Sequence, residues 1–271
     1  MVTRTCRSDR RILVGIPVYN EEKYVTGVLE EVRRYADHIL VIDDGSTDRT
    51  PCLVAEHPVE VIRHTANQGY GRSMQCMICQ AAHDGFEWLI TMDCDEQHEP
   101  AAIPRFLDAI EADDADVISG SRYLVPHPED HCPPEDRQAI NQTITAELNG
   151  RLGLSLTDGF CGFKAYRMDA CRKLCLDVDG YDFPMQFWVQ AVAHGLRIEE
   201  IPVRLIYNDP ARSFGGPLDV PTSRLDHYRR TMHEELHRCA HLLPAAALSG
   251  LHEPAAVACG DTGGCSGCPS S

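Results

Sequence analysis

The chain has 271 residues, of which 43% are hydrophobic and 24% charged, and its formal net charge is −16. This length is enough for one large α/β domain with a tail. The excess of acidic residues argues against a protein that binds the nucleic-acid backbone, because such proteins need a basic face. It does not exclude a single basic pocket in an otherwise acidic protein.

The first half of the chain alternates short apolar strands with amphipathic helices. Strands are predicted at 11–17, 38–42, 59–62, 87–92 and 115–119, and helices at 21–35, 71–84 and 101–112. This rhythm predicts an α/β fold with a mostly parallel, Rossmann-like sheet and helices on both faces. Ligands of such sheets bind beyond the carboxyl ends of the strands. The loops that follow the strands are therefore the first candidates for a site.

The second half is less regular. Helices are predicted at 136–152, 184–194 and 222–241, strands at 160–166 and 197–203, and loops at 123–135 and 208–220. The composition from residue 242 onwards is rich in Ala, Gly, Ser and Pro, which predicts disorder. We therefore expect one domain at 1–220, a C-terminal helix at 221–241 and a disordered tail at 242–271.

Thirteen cysteines are scattered along the chain, and residues 1–11 are polar and basic rather than an apolar secretory signal. We interpret most of these thiols as reduced. No stretch reaches the roughly 18 continuous apolar residues of a membrane span, and the best candidate, 242–258, is interrupted by prolines and charges. We expect a cytoplasmic protein that associates with the cytoplasmic membrane face peripherally.

A pair of carboxylates follows the predicted strand at 87–92. Asp93 and Asp95 can both reach one divalent cation, and Gln97 can add a carbonyl oxygen. Mg²⁺ and Mn²⁺ prefer such oxygen ligands and keep positions open for substrate phosphates. The cation would neutralise a diphosphate leaving group. An acidic turn is the alternative, but its position after a buried strand favours the metal site.

Asp43 and Asp44 follow the second strand. One carboxylate can accept hydrogen bonds from ribose hydroxyls or a base N–H, as acidic residues at strand ends do in other nucleotide folds. The alternative is a turn in which an aspartate accepts from a nearby backbone N–H. The sequence leaves both open.

Three segments, in this order and spacing, resemble the family-two glycosyltransferases, and the pattern is most similar to dolichyl- and polyprenyl-phosphate sugar synthases. They are Pro17-Val18-Tyr19-Asn20-Glu21, Val41-Ile42-Asp43-Asp44-Gly45-Ser46-Thr47-Asp48 and Met92-Asp93-Cys94-Asp95-Glu96-Gln97-His98-Glu99-Pro100. Supporting segments are Gly120-Ser121-Arg122-Tyr123, Gly162-Phe163-Lys164-Ala165-Tyr166 with Asp158, and Gly180-Tyr181-Asp182-Phe183. The resemblance covers residues 12–212.

The resemblance implies a GT-A fold and transfer of a hexose, with inversion, from a nucleotide sugar of the GDP-mannose or UDP-glucose type. The implied acceptor is a polyprenyl or dolichyl phosphate, and the implied cofactor is Mg²⁺ or Mn²⁺. Nucleotide-sugar binding is implied for Pro17, Tyr19, Glu21, Asp43, Asp44, Asp93, Cys94, Arg122 and Arg212. Metal binding is implied for Asp93, Asp95 and Gln97, and acceptor-phosphate binding for Arg122 and Arg137.

Catalytic roles are expected for Asp95, Arg122 and Asp158. A lipid phosphate is already ionised and needs no general base, so positioning and charge stabilisation suffice. A sugar or protein hydroxyl as acceptor needs a base, for which Asp158 is the candidate. The alternative for Asp158 is a structural turn before Gly159.

Other classes stay open. His233-Glu234-Glu235-Leu236-His237 matches the H-E-x-x-H pattern of zinc proteases, although its helix has the composition of a solvated surface. Cys265 and Cys268 form a C-x-x-C pair in the predicted tail, where incidental cysteines are the simpler interpretation. A non-catalytic nucleotide-binding scaffold is the third alternative. The combination of Asp93, Asp95 and Arg122 in one chain argues against that scaffold.

Overall fold

The computed structural model describes residues 10–207 and 216–251. The strands are β1 (Ile12–Val18), β2 (Ile39–Asp43), β3 (Glu60–Arg63), β4 (Trp88–Thr91), β5 (Val117–Ser121), β6 (Lys164–Arg167) and β7 (Ile198–Pro202). The α-helices are α1 (Val25–Val32), α2 (Thr50–Val54), α3 (Tyr70–His83), α4 (Ile103–Ala112), α5 (Glu135–Leu152), α6 (Met168–Cys171), α7 (Phe183–Ala193) and α8 (Pro221–Arg238). Short 3-10 turns lie at Pro100–Ala102, Gly216–Asp219 and Ala245–Leu248.

In the part of the chain that the structure describes, the strands form one sheet in the order β3-β2-β1-β4-β6-β5-β7. Neighbouring strands are parallel except that β6 runs antiparallel between β4 and β5. The predicted mostly parallel sheet is confirmed. The strand predicted at 160–166 begins only at Lys164, which lies opposite Thr91 of β4. Because β6 is antiparallel, residues 160–163 emerge at the carboxyl edge of β4.

Helices cover both faces of the sheet, as the sequence predicts. Side chains of β2 alternate between the two faces: Leu40 and Ile42 pack with α3, α5, α7 and α8, whereas Ile39 and Val41 pack with α1, α2 and α4. Both clusters consist of fully or nearly fully buried apolar side chains. Burial of this apolar surface is the main force that stabilises the layered arrangement.

Helix α8 belongs to the core. Its Tyr228, Met232 and Leu236 are buried in the same cluster as α5 and α7, so the interpretation of this helix as a solvated surface is wrong. The spacing of these residues by four places them on one helical face.

Residues 242–251 pack onto the domain, which corrects the prediction that disorder begins at 242. Ala247 is fully buried, and Arg151 Nη1 donates to the carbonyl oxygens of Ala247 and Ser249. The rest of the predicted tail, with Cys265 and Cys268, lies outside the described residues. Within those residues, none of the helices is apolar over a length that would cross a bilayer.

Candidate active site

A cavity of about 610 Å³ opens at the carboxyl edge of the sheet. Its wall comes from the loops after β1, β2, β3, β4 and β5, which are the loops that the parallel-sheet rule selects. The predicted site residues on this wall are Pro17, Tyr19, Glu21, Asp44, Asp93, Cys94, Asp95, Gln97, Arg122 and Arg137. Asp43 and Asp158 are not part of the wall, and Arg212 lies outside the described residues.

The order of the strands sets the order of the groups along the cavity. The loops after β1, β2 and β3 supply one end, which we call the β1–β2 end and which includes Tyr19, Glu21, Asp44, Asn67 and Gly69. The loop after β4 brings the carboxylate pair to the middle. The loop after β5 begins the α5–α8 end, which includes Tyr123, Arg137, Phe160, Tyr181, Leu205, Tyr207, Arg224 and Tyr228.

Hydrogen bonds between neighbouring loops fix the β1–β2 end. Asn20 has a left-handed backbone (φ 56°), and its Oδ1 accepts from the backbone N–H groups of Thr47 and Asp48. The Asn20 N–H donates to Ser46 Oγ, and the Glu21 N–H donates to Thr50 Oγ1. The loops after β1 and β2 are thus held as one rigid wall.

Asp43 supports this wall from behind instead of lining it. Its Oδ1 accepts from the Ser46 N–H at 2.9 Å, and its Oδ2 lies 3.0 Å from Arg63 Nε. The side chain is 1% exposed. The structure shows the turn contact of Asp43, and the prediction that Asp43 contacts a nucleoside stays a prediction.

Asp44 does lie on the wall. Its carboxylate accepts from the backbone N–H groups of Gln68 and Gly69, both at 2.9 Å, and pairs with His64 Nδ1. These bonds hold the segment that carries Asn67 against the cavity. Gly69 has φ 103°, and a Cβ there would collide with the Asp179 carbonyl oxygen, so no other residue fits.

The carboxylate pair occupies the middle of the cavity. Asp95 Oδ1 accepts from the Gln97 N–H at 3.0 Å, which closes a tight turn around Glu96 with φ 58°. Asp93 packs against Gly162, where a Cβ would lie only 2.7 Å from Oδ2. Asp93, Asp95 and Gln97, which this turn holds within five residues of one another, all line the cavity.

These three groups fit a hard divalent cation. In the described ranges, no cluster of three or more His, Cys, Asp and Glu side chains is arranged for a metal. The candidate set here is two carboxylates and one amide on a cavity wall, which leaves positions for substrate oxygens. Mg²⁺ sites that bind phosphates have this composition.

His98 supports the turn as a neutral imidazole. Burial lowers the pKa of His98 to about 4. Its Nδ1 accepts from the Asp93 N–H at 3.0 Å, so the proton is on Nε2, which faces Cys161 Sγ at 3.9 Å. The imidazole fixes the backbone of Asp93 and is not itself part of the cavity wall.

Arg122 and Asp158 form a buried, bidentate ion pair. Arg122 Nε lies 2.6 Å from Oδ2 and Nη2 lies 2.9 Å from Oδ1. Asn141 Nδ2 and the Phe160 N–H also donate to Oδ1. Burial alone would raise the pKa of Asp158, but the charge and hydrogen bonds of Arg122 outweigh burial and lower that pKa well below 3.8.

The structure corrects the expectation that Asp158 is a catalytic base. The carboxylate is fully buried, its pKa is lowered, and it does not line the cavity. A general base must be within reach of the proton that it removes. Asp158 instead orients Arg122, whose Nη1 is the remaining guanidinium nitrogen that a phosphate in the cavity would meet.

Two cationic side chains near the cavity, Lys164 and Arg224, were not predicted as site residues from the sequence. Lys164 is buried on β6, where its Nζ donates to the Cys161 carbonyl oxygen and lies 5.3 Å from the centre of the Trp188 ring. Burial lowers the pKa of Lys164. By holding Cys161, Lys164 fixes the turn that places Gly162 beneath Asp93.

Arg224 is the second missed cation. It reaches the α5–α8 end from helix α8, where Nη2 lies 2.6 Å from Asp136 Oδ2 and Nη1 donates to the Leu218 carbonyl oxygen at 3.0 Å. The available signal was the spacing of Arg224 and Tyr228, which share the face of α8 that is otherwise apolar. Arg137, half-buried on α5, lies 5.5 Å from the centre of the Tyr207 ring at the same end of the cavity.

The H-E-x-x-H segment of α8 is not arranged as a zinc site. His233 Nε2 lies 2.9 Å from Glu147 Oε1, and Glu147 also accepts from Arg151 and Arg229. Glu235 is buried and accepts from Gln186 and Gln190 of α7. These side chains join α5, α7 and α8 to one another.

Comparison with known proteins gives a family match. The family model described as glycosyl transferase family 2 matches residues 13–175, more than half of the chain. The chain is 32% identical to polyprenol monophosphomannose synthase of Mycolicibacterium smegmatis over 210 residues, 73% of this chain and 78% of that protein. It is 32% identical to undecaprenyl-phosphate mannosyltransferase of Micrococcus luteus over 213 residues, 75% of this chain and 86% of that protein.

Solved structures share the fold. Glucosyl-3-phosphoglycerate synthase from Mycobacterium tuberculosis, solved in complex with Mn²⁺, uridine diphosphate and phosphoglyceric acid, aligns with a TM-score of 0.63. The alignment covers 87% of this chain and 80% of that one, at 17% sequence identity. At this identity the likeness shows the fold alone.

Proposed function

Because the chain belongs to glycosyl transferase family 2, we propose that it moves a hexose from a nucleoside-diphosphate sugar to a polyprenyl phosphate, with inversion at the anomeric carbon. Family membership, glycosyltransferase activity and the GT-A-type fold, which the sequence motifs predict, are confirmed by the family match and the relatives. The donor, the acceptor and the metal are our proposals.

One observation carries the proposal. A single cavity holds a carboxylate pair between a polar end built from the loops after β1, β2 and β3 and a second end with arginines and aromatic walls. A nucleotide sugar and a phosphate acceptor therefore have separate places with the reacting atoms between them. The names of two relatives, which specify polyprenol and undecaprenyl phosphate, support the same acceptor class.

The donor would occupy the β1–β2 end. Tyr19, Glu21 and Asn67 would face the nucleoside, and the diphosphate would lie against Asp93, Asp95 and Gln97, which would hold Mg²⁺ or Mn²⁺. That cation would supply positive charge at the leaving diphosphate. Arg212 matches a family position near the donor, and its role stays a prediction because it lies outside the described residues.

The acceptor phosphate would occupy the α5–α8 end, with Arg122, Arg137 and Arg224 around it. Guanidinium groups suit phosphate oxygens because they donate two parallel hydrogen bonds. The first prenyl units would lie along Phe160, Leu205 and Tyr228, which line the same end. The arginines would bind the charged phosphate of a polyprenyl phosphate, and the apolar wall would contact its prenyl chain.

The chemistry needs no general base. An ionised acceptor oxygen attacks the anomeric carbon, the bond from that carbon to the diphosphate oxygen breaks on the opposite face, and nucleoside diphosphate leaves. The configuration inverts because attack and departure occur on opposite faces. This agrees with Asp158, whose pKa is lowered and whose carboxylate is occupied by Arg122. The protein contributes positioning and charge stabilisation.

An assay with matched acceptors tests the proposal. Purified protein is incubated with radiolabelled GDP-mannose or UDP-glucose, Mn²⁺ and either farnesyl phosphate or farnesol, and lipid-linked sugar is counted after solvent extraction. We expect label on the phosphate and none on the alcohol. Label on farnesol alone, or on neither, would contradict the acceptor assignment.

Two neighbouring variants test the metal site. Asp95→Asn should abolish turnover and the dependence of donor binding on Mn²⁺, because it removes a carboxylate from the cavity wall. Glu96→Gln removes the adjacent, exposed carboxylate and should leave both nearly unchanged. Equal activities of the two variants would contradict the metal assignment.

A further inference from the structure

Large apolar side chains are exposed at a few places in the described residues. Seven are exposed: Tyr19, Val61, Leu124, Val125, Tyr181, Val220 and Leu242. Single exposed apolar residues are normal on a soluble surface, but their concentration in one place is informative. Four of the seven, Leu124, Val125, Tyr181 and Val220, are close in sequence to the α5–α8 end of the cavity or line it. We call these four the apolar rim.

Each member of the apolar rim either lines the cavity or is close in sequence to a residue of the described chain that contacts or lines it. Leu124 and Val125 directly follow Tyr123, which lines the cavity, and Val125 is 56% exposed. Tyr181 is itself on the wall and stacks against Tyr70, with ring centres 6.0 Å apart. Val220, 51% exposed, lies two residues from Leu218, whose carbonyl oxygen accepts from Arg224.

The segment that carries Leu124 and Val125 is fixed at both ends to the phosphate-binding groups. It begins after Arg122 and leads into α5, where Arg137 lies. Residues 124–129 are all exposed and contain no helix or strand. Arg204 anchors the far part of the segment through Glu129 and Asp130, both at 3.2 Å. The two aliphatic side chains are therefore presented to solvent next to the cavity mouth.

The net charge indicates which kind of group would contact a lipid surface. With a formal charge of −16, the chain as a whole is not attracted to an anionic surface, which favours apolar groups as the contact with lipid. The described helices include none that could span a bilayer. A polyprenyl chain is buried in lipid with its phosphate at the headgroup level. A cavity that takes such a phosphate has to open towards the bilayer.

We propose that the apolar rim inserts into the surface of a lipid bilayer and thereby places the α5–α8 end over the membrane-embedded phosphate. This inference rests on the proposed function, which it extends by naming the surface that meets the membrane. The rim is a docking surface, while Arg122, Arg137 and Arg224 remain the groups that contact the phosphate.

The test uses a double variant and a matched control. Leu124→Asp with Val125→Asp replaces two of the three aliphatic side chains of the apolar rim without touching a residue of the cavity wall. Val61→Asp changes a similarly exposed valine on β3, at the opposite edge of the sheet from β5 and β7. All three side chains are at the surface, so the variants should fold, which unfolding midpoints will verify.

Flotation with phosphatidylcholine vesicles measures docking independently of activity. We expect the wild type and Val61→Asp to float, and the double variant to lose about tenfold or more in binding, because charged side chains replace buried apolar surface. The absence of flotation in the wild type, or equal flotation of the double variant, would overturn the proposal.

Kinetics separate docking from the transfer reaction. For a long-chain polyprenyl phosphate in vesicles, the KM of the double variant should rise about tenfold or more, whereas its KM for monomeric farnesyl phosphate should equal that of the wild type. An equal rise in KM for both acceptors would overturn the docking proposal and would show that residues 124 and 125 act in the active site. No transfer to either phosphate by the wild type would defeat the proposed function, while flotation would still decide the docking surface.

Discussion

Asp158 and Arg122 form an ion pair in which the fully buried carboxylate orients a partly buried guanidinium group. Asp158 is fully buried, whereas the Arg122 side chain is 20% exposed and reaches the cavity. Replacing Asp158 by Asn would keep the shape but leave the guanidinium without its counter-charge. We expect kcat to fall by about a hundredfold or more, because the arginine loses its fixed orientation. Steady-state kinetics with farnesyl phosphate check this, and unchanged kcat would show that Arg122 needs no anchor.

The same ion pair makes the free energy of unfolding depend on pH. The folded-state pKa of Asp158 is lowered, so its stabilisation is complete above the ordinary pKa near 3.8 and is lost as pH falls below that value towards the folded-state pKa. At pH 7 the Asn variant should be less stable by about 3 kcal/mol, the scale of a broken buried pair. The difference from the wild type should shrink below about pH 4. Urea unfolding at several pH values measures it, and a constant difference would contradict the assignment.

Gly162 is required by the space beside Asp93. A Cβ at this position would lie 2.7 Å from Asp93 Oδ2 and 3.0 Å from Oδ1, so Gly162→Ala must push the carboxylate aside. We expect Mn²⁺-dependent donor binding, measured by calorimetry, to weaken about tenfold, which corresponds to about 1.4 kcal/mol.

Gly150→Ala is the matched control for Gly162→Ala. Residue 150 lies in helix α5, where the added methyl group would meet no atom within 4 Å. Alanine should stabilise the helix by about 0.5–1 kcal/mol and leave donor binding unchanged. Similar binding losses in both variants would mean that Gly162 does not act through Asp93.

Helix α8 shows how a charged element can be part of the core. Glu235 is buried, but Gln186 and Gln190 donate to its carboxylate, so its desolvation is offset by hydrogen bonds. Leu236 beside it is fully buried. Leu236→Ala should lower the free energy of unfolding by about 2–5 kcal/mol. Arg230→Ala, at an exposed position of the same helix, should change it by less than about 0.5 kcal/mol. Urea unfolding compares the two, and equal small effects would contradict the packing of α8.

The same helix marks where sequence reasoning failed. The loops after the strands could be predicted, because a parallel sheet brings its carboxyl ends to one edge, and Asp93, Asp95 and Arg122 lie there. Arg224 was missed, since the spacing of Arg224 and Tyr228 shows only that they share a helical face, whereas the position of that face depends on how α8 packs against α5 and α7. Asp43 and Asp158 were predicted as ligand and base from their positions and the family resemblance, and the sequence did not show that Arg63 and Arg122, which are distant in sequence, form ion pairs with them.

At the scale of the whole molecule, charge and apolar docking act against each other. The chain carries a formal charge of −16, so an anionic bilayer repels it over roughly 10 Å, the screening length at about 0.1 M salt. Binding to vesicles with anionic lipid should therefore strengthen as salt rises from about 0.05 to 0.3 M, because screening weakens repulsion more than it affects apolar contact. Flotation across this series checks it. Weaker binding at higher salt would point to a basic membrane contact instead.

Because Arg224 lies on the last long helix, the two ends of the cavity are synthesised at different times. The strands and loops of the β1–β2 end and the carboxylate pair are all encoded before residue 100, whereas the α5–α8 end is complete only when residues 221–238 have left the ribosome. Domains tend to fold as units during translation. A nascent chain that stops short of α8 lacks Tyr228, Met232 and Leu236 of the core as well as Arg224 of the cavity wall, so we expect neither end of the cavity to fold stably before α8 has been synthesised.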